Sequence, residues 1–206
     1  QTQAARYNGL DWRRNICWRK GRYFVVLDQL HSRQAGTYHC ICHWRLIGEV
    51  AAQDTGLHLH QQGEDFYLRN ADDIDNEIVP DPHGGGLWGG YPYADAVPQV
   101  LYQRASADLA PQETLTFHNL FTPYDHIHIE RLDEGLVRIT DGPETSILGS
   151  GKVRLGDVDI EGALFALHLH ADTVTIQGAE RLGFSEHWED LGGETHVLDV
   201  QDSEWA

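Results

Sequence analysis

Histidine is the most enriched chemically versatile residue of this 206-residue chain, at 13 copies, and its spacing is as suggestive as its number. His58/His60, His126/His128 and His168/His170 are His-x-His pairs, and His39/His43 sit four apart. On an extended strand two residues of such a pair share a face, and neutral imidazole is the commonest transition-metal ligand. His126, His128, His168 and His170 are therefore candidate ligands for a divalent metal. The alternative is that these histidines occupy the solvent side of alternating strands, where any polar residue would serve. A metal also needs a third donor from another strand, and on this reading no cofactor is required.

A second chemistry lies in the aromatic residues. Trp12, Trp18, Trp88, Tyr91, Tyr93, Tyr124 and Trp188 fall in or beside loops and strand ends, and flat rings with a polar rim suit sugars. The densest group is in His83-Gly84-Gly85-Gly86-Leu87-Trp88-Gly89-Gly90-Tyr91-Pro92-Tyr93, which makes His83, Trp88, Tyr91 and Tyr93 candidate carbohydrate contacts. Trp18 and Trp44 are expected in the core, since tryptophan is highly buried on average. The run Asp72-Asp73-Ile74-Asp75-Asn76-Glu77 is rich in oxygen donors but lacks the glycine and bidentate glutamate of a calcium loop, so it reads as a solvated acidic turn. No Gly-x-Ser-x-Gly elbow, His-Glu-x-x-His helix or phosphate-binding glycine loop is present. Cys17, Cys40 and Cys42 permit at most one disulfide and read as buried free thiols, which leaves the redox compartment open.

These residues must be held by strands. Tyr38, Cys40, Cys42, Trp44 and Leu46 alternate with Thr37, His39, His43 and Arg45, only Ile41 breaking the polar set. The same period of two recurs in Leu57/Leu59, Ile127/Ile129, Val158/Ile160 and Val174/Ile176. Turn signals separate the runs: Lys20-Gly21, Ala35-Gly36, Gln62-Gly63, Glu134-Gly135, Asp141-Gly142-Pro143, Gly149 to Gly151 and Gln177-Gly178. The only helical expectation is one turn around Glu186 to Leu191. A sheet polar on one face needs a second layer on the other. The fold class is therefore all-β, a large antiparallel two-sheet β-sandwich, with residues 1–206 as one domain and a long loop excursion at 70–98.

Composition narrows the partners. There are 32 Asp and Glu against 15 Lys and Arg, a net charge of -17, and no methionine. Such a charge repels nucleic acid and anionic membrane. No apolar run approaches a membrane span, and residues 1–30 lack the zones of a signal peptide. The missing methionine points to a processed product or a segment of something longer.

Three stretches carry a resemblance. Trp12-Arg13-Arg14-Asn15-Ile16, then Arg22 to Leu30 (Arg-Tyr-Phe-Val-Val-Leu-Asp-Gln-Leu), then Tyr38 to Arg45 (Tyr-His-Cys-Ile-Cys-His-Trp-Arg) resemble the β-sheet region of heparinase II/III-like proteins. Phe117 to Phe121, Ser146 to Gly149 and Gly162 to Leu167 also look like that region, so the likeness spans most of the chain in order. Those proteins are polysaccharide lyases with an α/α toroid followed by an antiparallel β-sandwich. The toroid's tyrosine and asparagine and the upstream histidine motifs have no counterpart in residues 1–206, so no catalytic or metal residue carries over. The resemblance implies a sheet domain beside a sugar cleft, inactive alone, whose partners are a polysaccharide or a preceding helical domain, in a secreted, periplasmic or cell-surface location. A non-enzymatic extracellular structural or adhesive module that self-assembles into a homo-oligomer is the alternative, and a metal-dependent sandwich of cupin type a third reading.

Overall fold

The structure is a computed structural model that describes residues 2–81, 98–170, 173–184 and 187–199. Among these residues every regular element is a strand and every pairing is antiparallel. The all-β antiparallel sandwich expected from the alternating pattern is what forms. The chain divides into two compact units, Gln1–Asp125 and His126–Ala206, where the sequence reads as one domain.

Among the described residues the first unit holds ten strands: β1 (Thr2–Tyr7), β2 (Leu10–Arg19), β3 (Tyr23–Ser32), β4 (Gly36–Leu46), β5 (Glu49–Gln53), β6 (Gly56–Gln61), β7 (Glu64–Asn70), β8 (Asp75–Pro80), β9 (Gln99–Leu109) and β10 (Thr114–Thr122). Seven make one sheet in the order β1-β2-β3-β10-β7-β6-β5, and β4-β9-β8 make the other. Period-two alternation puts Val26 (β3), Leu57 and Leu59 (β6), Leu68 (β7) and Phe121 (β10) on the inner face of the large sheet. There they meet Leu101 from β9, with Trp44 and Ile78 against them. A second cluster joins Leu10, Leu115 and Phe117 to Cys42 and Leu109. Each such Leu or Phe contributes about 1.5–3 kcal/mol by leaving water, so interleaving of the two layers holds this unit together.

Turn chemistry sets the register. Gln62 and Gly63 both have positive φ (55° and 85°), as a two-residue hairpin between right-twisted strands requires. That places Leu57 opposite Leu68 and His60 opposite Asp65. β4 pairs with β9 along its whole length, Gly36 opposite Leu109 and Leu46 opposite Gln99.

The described residues of the second unit form one sheet of β11 (Ile127–Asp133), β12 (Leu136–Asp141), β13 (Glu144–Leu155), β14 (Val158–Leu169), β15 (Thr173–Gln177), β16 (Arg181–Phe184), β17 (His187–Asp190) and β18 (Thr195–Asp199). β14 is shared: Val158 to Glu161 pair with β16, while Ala166 to Leu169 pair with β15. Its two halves pack Ile160 and Phe165 into one core with Ile147, Val153, Val174 and Leu182.

Four local expectations are corrected. Gly149 to Gly151, read as a turn, is a bulge inside β13, where the register shifts. A Cβ at Gly149 would collide with the Phe165 ring, and Gly151 has φ of 83°, so the glycines let a long strand bend. Residues 187–190 form β17 rather than a helical turn, because they pair with β16. Trp18, expected in the core, is 68% exposed, since it lies at the far end of β2. The 70–98 segment, read as loop, includes β8, paired with β9 from Asp75 to Pro80.

Candidate functional site

β2, β3 and β4 enclose a groove of about 1040 Å³ in the first unit, with Asp28 and Arg14 at its floor. Asp28 faces the interior because it alternates with Leu27 on a strand that is buried on both sides. It is 2% exposed and lies directly opposite Arg14. Arg14 Nε donates to Asp28 Oδ1 at 2.7 Å, Arg14 Nη2 donates to Oδ2 at 2.6 Å, and Trp12 Nε1 adds a bond to Oδ1 at 2.9 Å. The guanidinium also stands 5.0 Å from the Trp12 ring and 5.2 Å from the Trp44 ring, between strands of the two sheets. A planar, always-charged fork suits that place, since it pairs bidentately with a carboxylate while stacking on rings.

Cys42 closes this cluster from β4, its sulfur 4.0 Å from Asp28 Oδ2 and 3.9 Å from Arg14 Nη2. Burial, then the Asp28 charge, pushes its thiol up to about 12, the nearby Arg14 only partly opposing them. The Asp28 hydrogen bond likewise raises the Arg14 guanidinium above its ordinary value. A thiol this reluctant to ionise is no nucleophile at neutral pH, and the Asp28 carboxylate is engaged by three donors. The chemistry of the floor is therefore positional: it fixes the Trp12 and Trp44 rings and offers a polar surface of cancelled charge. Tyr38 lines the wall, its hydroxyl donating to the Gln34 carbonyl at 2.9 Å, and Asn8, Gln34 and His39 complete a polar rim.

A buried polar network runs alongside in the same unit. Asp72, inside the run that reads as a solvated acidic turn, has a side chain only 3% exposed. Oδ2 accepts the His118 backbone N–H at 2.5 Å, while Oδ1 accepts His118 Nδ1 at 2.9 Å and the Thr116 hydroxyl at 3.0 Å. Burial pushes this carboxyl up, but the His118 and Thr116 bonds outweigh it and hold it below the usual carboxylate range. Asn119 Oδ1 accepts from Asn70 and Gln103, and Gln103 in turn accepts from Trp44 Nε1 at 3.0 Å. The network thus ties β4, β7, β9 and β10 through side chains as well as apolar packing.

The sequence-derived candidates are placed as follows. His83, Trp88, Tyr91 and Tyr93 lie outside the described residues. His126 bonds Asp141 at 3.2 Å, and His168 Nδ1 bonds the Ser146 hydroxyl at 2.9 Å. His128 is opposite Thr140, and the His170 backbone N–H bonds the Thr173 carbonyl at 2.9 Å. His128 lies on β11 and His168 on β14, three strands along the same sheet. Two imidazoles on one metal must bring their nitrogens within about 4 Å. Among the described residues no group of three or more His, Cys, Asp or Glu is arranged to hold a metal ion.

His58 Nε2 and His60 Nδ1 instead share one acceptor, Asp65 Oδ1, at 2.7 and 2.9 Å. The two bonds, His60's first, draw Asp65 below its ordinary value, and His60 is raised in turn. Cys17, Cys40 and Cys42 are all free. The Arg14–Asp28–Cys42 cluster was missed as a site; its one visible signal was an acid and a base on strands joined by the Lys20-Gly21 turn.

No family model matches the chain, and no curated protein matches it.

Proposed function

We propose that this chain is the β-sandwich part of a heparinase II/III-like protein and that it contacts carbohydrate through the groove between β2, β3 and β4. One observation carries the reading: the stretches behind the resemblance, Trp12 to Ile16, Arg22 to Leu30 and Tyr38 to Arg45, are the strands that line the groove. Trp12 and Tyr38 supply rings on which a sugar face can lie, and the rim supplies amide, imidazole and hydroxyl groups for its hydroxyls. The domain supports and contacts substrate rather than turning it over, because removing a proton beside a uronate carboxylate needs a free base and a charge neutraliser. In this groove both Asp28 and Arg14 are committed to each other.

The test is a panel of neutral and uronic-acid polysaccharides, followed by tryptophan fluorescence for binding and by unsaturated-product absorbance for elimination. Saturable binding without elimination is expected. Elimination by this chain alone would overturn the supporting role, and absence of binding throughout would overturn the groove as a sugar site.

A further inference from the structure

The one Arg or Lys among the described residues lining the groove is Arg14, and its fork is already occupied. Nε and Nη2, a pair of nitrogens with which a guanidinium grips a carboxylate bidentately, donate to Asp28 Oδ1 and Oδ2 at 2.7 and 2.6 Å. Asp28 takes a third donor, Trp12 Nε1, at 2.9 Å, which holds the carboxylate in place beside the cation. The Arg14 side chain is 26% exposed and that of Asp28 2%. Without the aspartate a bare positive charge would face the groove; with it the floor is polar but neutral.

A uronate carboxylate entering this groove would lose water, find the fork occupied and lie near the negative charge of Asp28. Burying a charge without a partner is costly, and so is placing like charges side by side. The first unit adds to the repulsion, since Gln1–Asp125 carries 15 Asp and Glu against 10 Lys and Arg, and a net charge acts on an approaching ion beyond its own contacts. An uncharged sugar meets none of these costs. It has Trp12 and Tyr38 for its ring face and the Asn8 and Gln34 amides for its hydroxyls, the mix of flat apolar surface and few polar groups that small-molecule sites use.

We propose that the groove selects uncharged sugar units over uronates, and that Asp28 sets this selection by cancelling the charge of Arg14. The selection rests on the groove being a carbohydrate site. In a glycan that mixes the two kinds of unit, the groove holds an uncharged one and the uronates fall outside it. Asp28 is thus a positioning residue. It acts on the ligand through Arg14, and the affinity ratio between matched charged and uncharged sugars reports on it where a structural role alone would not.

Calorimetric titration with two matched pairs of short oligosaccharides tests this: methyl-esterified and free-acid galacturonan, and glucan and its C6-oxidised glucuronan counterpart. The members of a pair compete against each other, so that both report on one site. The wild type should bind the uncharged member at least about tenfold more tightly than the acid. Raising NaCl from about 0.1 to about 1 M should narrow the gap, as the screening length falls from about 10 to about 3 Å and repulsion fades. In Asp28→Asn the Arg14 charge is no longer cancelled, and the preference should fall at least about fivefold through tighter binding of the acid. Circular dichroism shows whether this variant folds; the wild-type ratio and its salt response decide without it. Equal or tighter binding of the acids by the wild type overturns the selection alone, as does a gap that salt widens or that folded Asp28→Asn leaves unchanged. Binding of neither member of either pair overturns the groove as a carbohydrate site, and the selection with it.

Discussion

Arg14 and Asp28 sit directly opposite each other on β2 and β3 and are joined by two bonds, 2.7 Å from Nε and 2.6 Å from Nη2, at the floor of the groove. The pair joins the layers, because the same guanidinium lies between a ring of β2 and a ring of β4. Removing either partner leaves the other in the groove floor without compensation. Asp28→Ala should cost about 3 kcal/mol, the low end for breaking a buried pair, because Arg14 keeps some contact with water. Urea unfolding monitored by tryptophan fluorescence measures this, and Asp28→Asn should lose less.

Asp72 gives the first unit an acid-sensitive contact. Its carboxyl is held below the usual carboxylate range when folded, so as pH falls the unfolded chain takes up this proton before the folded one does. The stabilisation is complete above the ordinary carboxylate pKa, near about 4, and is lost as pH falls through the lower folded value. Stability of the wild type should therefore fall more steeply below about pH 4 than that of Asp72→Asn, which should be weaker at neutral pH. Urea midpoints across a pH series provide the check; parallel curves would contradict it.

Gly149 is required by contact rather than by turn geometry. A methyl there would enter the Phe165 ring at the centre of the second unit. Gly149→Ala should cost about 1–3 kcal/mol, the usual penalty for overpacking a core. Thermal unfolding reads it, and Gly142→Ala, where a Cβ meets open space at a positive φ, separates a contact effect from backbone strain.

The thiols should be slow rather than absent. Burial raises all three, Cys42 to about 12 with Asp28 adding to the effect. An aromatic disulfide reagent at mildly alkaline pH should label the unfolded chain at three positions at once. In the native Cys17→Ser/Cys40→Ser variant the remaining Cys42 should react on the timescale of unfolding. Rapid native labelling of Cys42 would mean that the groove floor opens.

How far the sequence shows this arrangement depends on the range of the interaction. The two faces of β4 are legible because Tyr38, Cys40, Cys42 and Trp44 alternate with polar neighbours, and pleating alone separates them. That β4 pairs with β9, some sixty residues on, is not legible, since nothing local marks which strand supplies the partner. Asp72 cannot be told from Asp73 or Asp75 by type; it is buried because Thr116 and His118 arrive from β10 with donors. Trp18 is misread in the opposite sense, because an average tryptophan is covered and this one, near the end of β2, is exposed. The histidine pairs show the same limit: their two-residue spacing predicts a shared face, while convergence on a metal depends on strand order.

The most direct measurement is calorimetric titration of the bound polysaccharide into wild type, Trp12→Ala and Trp12→Phe. Trp12 touches both the Asp28 carboxylate and the groove, and one sugar-stacking ring is worth about 1 kcal/mol or more. Wild-type binding, retained in large part by Trp12→Phe and lost by at least about fivefold in folded Trp12→Ala, is the expected result. Equal affinity in all three proteins would place the sugar elsewhere and contradict the groove as its site.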